Sequence, residues 1–102
     1  MESSMSLGKK IKAVRIAERL TQDEMSQLID VPMVSLKSYE LGKRSVNEKN
    51  LMKVTKHERF EKYAYWLTTD KTLPESGQIA PDFSILLDLG IVESDTEGKK
   101  RA

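Results

Sequence analysis

The chain has 102 residues, 38% of them hydrophobic and 32% charged, with a net charge of +1 and no cysteine. That length accommodates one domain around one core, and without cysteine neither a disulfide frame nor a thiolate metal site is available. No apolar stretch reaches the ~20 residues of a membrane span and no signal peptide opens the chain, so a cytoplasmic protein without a membrane partner is expected.

Met1–Ser6 carries no periodicity and is expected to be loose. From Leu7 to Arg19, Leu7, Ile11 and Val14 recur at helical spacing among lysines and arginines, which predicts a first helix. In "TQDE", Thr21 and Glu24 have the spacing of a capping box, so a second helix starts there and turns Met25, Leu28 and Ile29 inward. Asp30-Val31-Pro32 breaks it. Proline is tolerated at the first position of a helix, so Pro32 is expected to open a third helix that ends near Leu41, closed by Gly42. A turn of about three residues between two helices is the length of a helix-turn-helix.

Asn47 or Ser45 can cap a fourth helix through about Val54, with Leu51 and Val54 on the core side. "THERFEKYAYWLTTD" predicts a fifth, with Thr55 and Glu58 as a second capping box and Phe60, Tyr63, Ala64 and Leu67 as one apolar stripe. "LPESGQIAP" is bracketed by prolines and reads as turn plus extended chain. "DFSILLDLG" predicts a short helix capped by Asp82 and closed by Gly90, and the polar sequence beyond Val92 is expected to be disordered. The expected organisation is therefore all-α: a five-helix domain over residues 7–70, an extended and short-helix segment over 71–92, and a tail over 93–102.

The charge is distributed unevenly. Met5 to Lys71 holds 14 Lys or Arg against 9 Asp or Glu, whereas Thr72 to Gly98 holds 6 acids and no base. A basic body can dwell on phosphates while an acidic segment points elsewhere, although short chains also reach such an imbalance by chance. The third helix sharpens the choice. At about 100° per residue, Met33, Val34, Lys37, Ser38 and Leu41 fall within an arc of about 140°, while Leu36 and Tyr39 point the other way and, with Val31, suffice to pack the helix. The outward arc suits a DNA major groove. Lysine can donate to guanine N7 and O6, serine can pair with several base edges, and Met33 and Val34 can touch thymine methyls. Met33, Val34, Lys37 and Ser38 are thus the expected base contacts. Gln22, Lys43 and Arg44 are the expected phosphate contacts. The competing expectation is that the C-terminal segment covers Met33, Val34 and Leu41, leaving Lys43 and Arg44 as ordinary solvated charges at a helix end.

The stretch "LGKKIKAVRIAERLTQDEMSQLIDVPMVSLKSYELGKR" resembles the lambda-repressor-like, Xre-type helix-turn-helix family, through Arg15, Thr21-Gln22, Glu24, Ile29, Val31, Leu36, Tyr39-Glu40 and Gly42. The resemblance implies a five-helix fold with the third helix in the major groove, Gln22 on a phosphate, and Arg15 paired with Glu40. Asp30 and Arg19 stand where that family commonly has glycine. "VPMVSLKSYELGKR", "FEKYAYW" and "PESGQIAP" together resemble the short C repressors of peduovirus-type (P-two-like) temperate phages. This implies an immunity repressor that binds an early-promoter operator as a homodimer, on direct repeats, and maintains lysogeny.

The roughly thirty residues after the fifth helix are too few for a self-cleaving Ser–Lys domain, so release is expected through an antirepressor protein or dilution. For the dimer contact, Trp66, Ile79, Phe83, Leu86 and Leu87 are the candidates, with "GQIAP" available to pair across a two-fold axis. Rival readings are an antitoxin or restriction-controller regulator with a protein partner, or a pure protein-interaction module. Enzymatic function is not expected, and no catalytic residue, metal ligand or cofactor is assigned: His57 is the sole histidine, and "HERFE" lacks the second histidine of a zinc-protease helix.

Overall fold

The computed structural model describes residues 7–92, so the expectations for Met1–Ser6 and for the tail over 93–102 fall outside the described residues. The described chain is helical, in the order α1 (Leu7–Ala17), α2 (Gln22–Ile29), α3 (Met33–Glu40), α4 (Glu48–Thr55), α5 (Ala64–Thr69) and α6 (Phe83–Asp88). Single 3-10 turns stand at Glu61–Tyr63 and Pro74–Ser76. Among the described residues no helix is long and apolar enough to cross a membrane.

Local chemistry sets most of the boundaries. α1 stops at Ala17, two residues short of the expected Arg19, because Arg19 turns left-handed at φ 61° while the Leu20 amide donates back to the Arg15 carbonyl. Glycine takes this conformation without cost, which is why it is common there; arginine adopts it under strain. At α2 both halves of the predicted capping box form: the Glu24 amide donates to Thr21 Oγ1 at 3.0 Å and the Thr21 amide to Glu24 Oε1 at 2.9 Å. Asn47, not Ser45, caps α4.

The predicted fifth helix is shorter than its sequence stripe. Thr55 ends α4 instead of capping a new helix, and the chain then makes turns before α5 begins at Ala64. His57 explains part of the break, since its Nδ1 accepts the Arg59 amide at 3.1 Å and its ring lies against Phe60. The turns nonetheless keep Phe60, Tyr63 and Leu67 on the core side, all at 3% exposure or less.

One core runs through the described chain. Ile11 and Val14 of α1 meet Met25, Ile29, Leu36, Tyr39, Phe60 and Trp66. Leu86 and Ile91 join the same cluster, so the segment over 71–92 folds onto the helical body, where α6 packs on α1. Leu28, expected inside, is 39% exposed.

Two contacts fix α1 against its neighbours. The first is steric: a Cβ added to Gly8 would lie 1.9 Å from the Tyr39 carbonyl oxygen, so only glycine lets α1 and α3 approach this closely. The second is a buried cation. Lys10, 4% exposed, donates to the carbonyls of Trp66 and Leu67 at 3.2 and 3.4 Å, pairs with Asp70 and sits 5.2 Å from the centre of the Trp66 ring. A cation there satisfies carbonyls at the C-terminal end of α5 and complements the helix dipole.

At the other end of α1, Glu18 gathers three donors. Arg59 Nε donates at 2.9 Å, Tyr63 Oη at 2.8 Å, and Lys62 Nζ lies 3.0 Å away. Burial pushes the Glu18 carboxyl up, but hydrogen bonds from Arg59, Lys62 and Tyr63 outweigh it and hold the group below its ordinary 4.5. Burial and the bonded Glu18 charge push the Tyr63 phenol well above its own ordinary range.

Gly8→Ala is expected to destabilise the protein by at least about 2 kcal/mol in chemical denaturation, despite the better helix propensity of alanine, because backbone must move. A second prediction concerns acid. The folded pKa of Glu18 lies below its unfolded value, so its contribution is complete above that unfolded value and is lost as pH falls through the folded one. The denaturation midpoint of Glu18→Gln should therefore lie below that of the parent above the unfolded pKa, and the gap should close as pH falls through the folded one; a constant gap would remove Glu18 from the acid limb.

Candidate nucleic-acid interface

Between α2 and α3 the turn is tied at every residue. Asp30 takes the left-handed conformation, φ 57°, and its carbonyl accepts from Lys53 Nζ at 2.8 Å. Aspartate tolerates this region better than most residues, which lets it stand where glycine is usual. The Val31 amide donates to the Ser26 carbonyl at 3.1 Å, and Ser26 Oγ returns a bond to the Val31 carbonyl at 2.6 Å. Pro32 is the N-cap of α3, with φ −57° and ψ 144°, one position earlier than expected; Met33 is the first helical residue. The proline sits outside because its ψ is extended, while its carbonyl still accepts the Leu36 amide.

α3 is held from behind. Leu36 and Tyr39 are 0% and 3% exposed, Val31 beside them is 2% exposed, and the Tyr39 hydroxyl accepts from Asn50 Nδ2 at 2.7 Å. The C-terminal residue of α3, Glu40, is buried, yet it is the hub of the interface. Its Oε2 accepts from Arg15 Nε at 2.8 Å, and its Oε1 accepts from Arg15 Nη2 at 3.0 Å and from Gln22 Nε2 at 3.0 Å. Arg15 Nη1 also donates to the Leu20 carbonyl at 2.9 Å. A planar guanidinium matches a carboxylate in this two-pronged way, giving direction as well as energy. One carboxylate thus ties α1, the start of α2 and the end of α3 together, and the Arg15–Glu40 pair implied by the family resemblance is present.

The front of α3 is open. Val34 is 71% exposed and Leu41 69% exposed, Lys37 is exposed and Ser38 half-buried. No segment among the described residues covers Val34 or Leu41, against the expectation that the C-terminal segment shields them. Met33, like Ser38, is half-buried. Leu41 lies on the expected arc but was not assigned a contact; its exposure marks it as part of the face.

Past the helix, Gly42 takes φ 77° and turns the chain, leaving Lys43 and Arg44 exposed. Arg44 Nη1 donates to Ser35 Oγ at 3.2 Å, which lays the guanidinium along the flank of α3. Gln22 is only partly available for a phosphate, because one of its two amide hydrogens is bonded to Glu40.

The residues expected at a dimer contact divide. Trp66 and Leu86 are 5% and 6% exposed within the single chain, so these two are core residues, Trp66 through the Lys10 contact and Leu86 as the inward side of α6. Ile79 and Phe83 remain outside at 39% and 58%, with Leu87 half-buried. The stretch "GQIAP" is partly occupied inside its own chain. The Ile79 amide donates to the Lys62 carbonyl at 2.8 Å, and the Gln78 side chain bonds the Tyr65 amide and the Glu61 carbonyl at 2.9 and 3.0 Å.

Gly8, which lies against the backbone of α3, and Lys10, which bonds the end of α5, carried no assignment from sequence. A glycine early in a strong helical pattern was the available signal for the first; for Lys10 there was none.

The family model described as Helix-turn-helix matches residues 11–57. Repressor protein C of Escherichia phage P2 is 33% identical over 78 residues, covering 76% of this chain and 79% of that protein. These matches bear out both resemblances carried by the sequence.

Glu40→Ala should destabilise the fold by about 3 kcal/mol, because it leaves the guanidinium of Arg15, only 13% exposed, without its partner. The paired replacement Arg15→Met with Glu40→Leu should cost less than Glu40→Ala alone in the same denaturation measurement; an equal or larger cost would show that geometry, not the unpaired charge, dominates.

Proposed function

The chain belongs to the helix-turn-helix family that includes Repressor protein C of Escherichia phage P2, and from that premise we propose that it is a phage repressor of transcription that binds its operator through α3. The carrying observation is the outer face of α3: two apolar side chains and Lys37 stand free, with Lys43 and Arg44 beyond them, on a helix braced from behind by Glu40. Such a face combines the donor, the apolar contacts and the backbone cations that major-groove readout requires.

In this reading Val34, Lys37 and Ser38 meet base edges, with Met33 at their margin, while Arg44, Lys43 and the remaining amide hydrogen of Gln22 meet phosphates. A single α3 reads few base pairs, so two copies act together. The exposed pair Ile79 and Phe83, with Leu87, is the apolar surface that supports a homodimer. As the resemblance to the short C repressors of temperate phages implies, the operator would overlap an early promoter, occupancy would block RNA polymerase and maintain lysogeny in the bacterial cytoplasm, and an antirepressor protein would act by displacing the dimer. No enzymatic step belongs to this reading.

Selection of bound duplexes from a randomised pool at about 0.15 M salt tests it. Two enriched half-sites in the same orientation, about 10 or 20 base pairs apart, are expected. Inverted half-sites would retain DNA binding and favour an antitoxin or restriction-controller type of regulator; no enrichment would refute the proposal. On the selected duplex, Lys37→Ala should cost about 1–3 kcal/mol and relax preference at one position. Arg44→Ala should weaken all duplexes alike and reduce the salt slope by about one unit; an unchanged slope would take Arg44 off the phosphates.

A further inference from the structure

We infer that Val34 and Leu41 form an apolar ridge that reads the methyl groups of thymine at two places in the operator, about three base pairs apart; this rests on the DNA-binding reading above. These two side chains, at 71% and 69%, are the most exposed of the large hydrophobic residues described. Neither serves packing, since Leu36 and Tyr39 already anchor the helix at 0% and 3% exposure. Leu41 keeps the right-handed conformation, φ −82° and ψ −7°, so it continues the helical spiral and lies two turns from Val34 on the same face. Seven residues advance the axis by about 10 Å, and bases along one strand rise by about 3.4 Å.

The surroundings select the occupant. Lys37 stands on the same face, and Lys43 and Arg44 follow, all exposed. An apolar ridge set among cations fits a polyanion that also presents small apolar groups. Duplex DNA presents one, the thymine methyl, and only in the major groove. The structure also moves this role from Met33 and Val34 to Val34 and Leu41, because Met33 is half-buried while Leu41 stands clear.

The test replaces each thymine of the selected duplex in turn with deoxyuridine, which removes the methyl and leaves base pairing intact, and measures affinity of the full chain. Loss is expected at two positions about three base pairs apart. Each should weaken binding about fourfold, corresponding to about 0.8 kcal/mol for one buried methylene. 5-Bromouracil, whose bromine fills the place of the methyl, should restore binding at both. Val34→Ala should abolish the deoxyuridine effect at one position and Leu41→Ala at the other; both side chains are exposed, so the variants should fold. Unchanged affinity across all deoxyuridine duplexes, or losses that persist at full size in both variants, would overturn the inference while leaving DNA binding intact. Failure to select any duplex would instead overturn the reading beneath it.

Discussion

The buried carboxylate of Glu40 is the interaction on which the rest depends. A charge taken out of water is costly unless it is matched, and here it is matched by the two-pronged guanidinium of Arg15 and by the amide of Gln22. Each partner comes from a different helix, so satisfying one side chain fixes α1, α2 and α3 relative to one another. Gly8 completes the constraint from the steric side, setting how near α1 lies to the last turn of α3. The result is a short helix whose inner face is fully occupied and whose outer face is free for function.

That division explains an otherwise unfavourable feature. Val34 and Leu41 remain in water while Leu36 and Tyr39 of the same helix are packed, and the proposed DNA contact gives that exposure a use. The same helix presents Lys37 and is followed by Lys43 and Arg44, so the proposed partner would meet positive charge as well. The tied turn at Asp30–Pro32 matters for the same reason. A helix that reads base edges has to be presented rigidly, and the Ser26, Lys53 and Val31 bonds remove the slack that such a turn would otherwise have.

Sequence revealed the features whose causes are local. The Thr21–Glu24 box, the breaking proline at 32, the closing Gly42 and the Asp82 cap depend on residues within a few positions of each other, and all stand within one residue of where spacing puts them. The outward arc of α3 was legible because helical periodicity separates it from Leu36 and Tyr39. Features with distant causes were not legible. Nothing near Gly8 in sequence announces the Tyr39 carbonyl, and nothing near Lys10 announces the end of α5. Trp66 looked like an interface anchor because aromatic residues often are; the buried ammonium of Lys10 beneath it makes it core. The fifth helix was overextended for a related reason. The stripe of Phe60, Tyr63 and Leu67 keeps a common face through turns as well as through helix, so periodicity alone did not detect the break that the His57–Arg59 bond helps make.

The central claim is that a helix braced by Glu40 enters the major groove. Methylation interference on a bound duplex tests it most directly, since dimethyl sulfate modifies guanine N7, which faces the major groove, and adenine N3, which faces the minor groove. The account predicts that N7 methylation at guanines within each half-site blocks binding, while N3 methylation there does not. Interference confined to adenine N3 would place the protein in the minor groove and contradict the account.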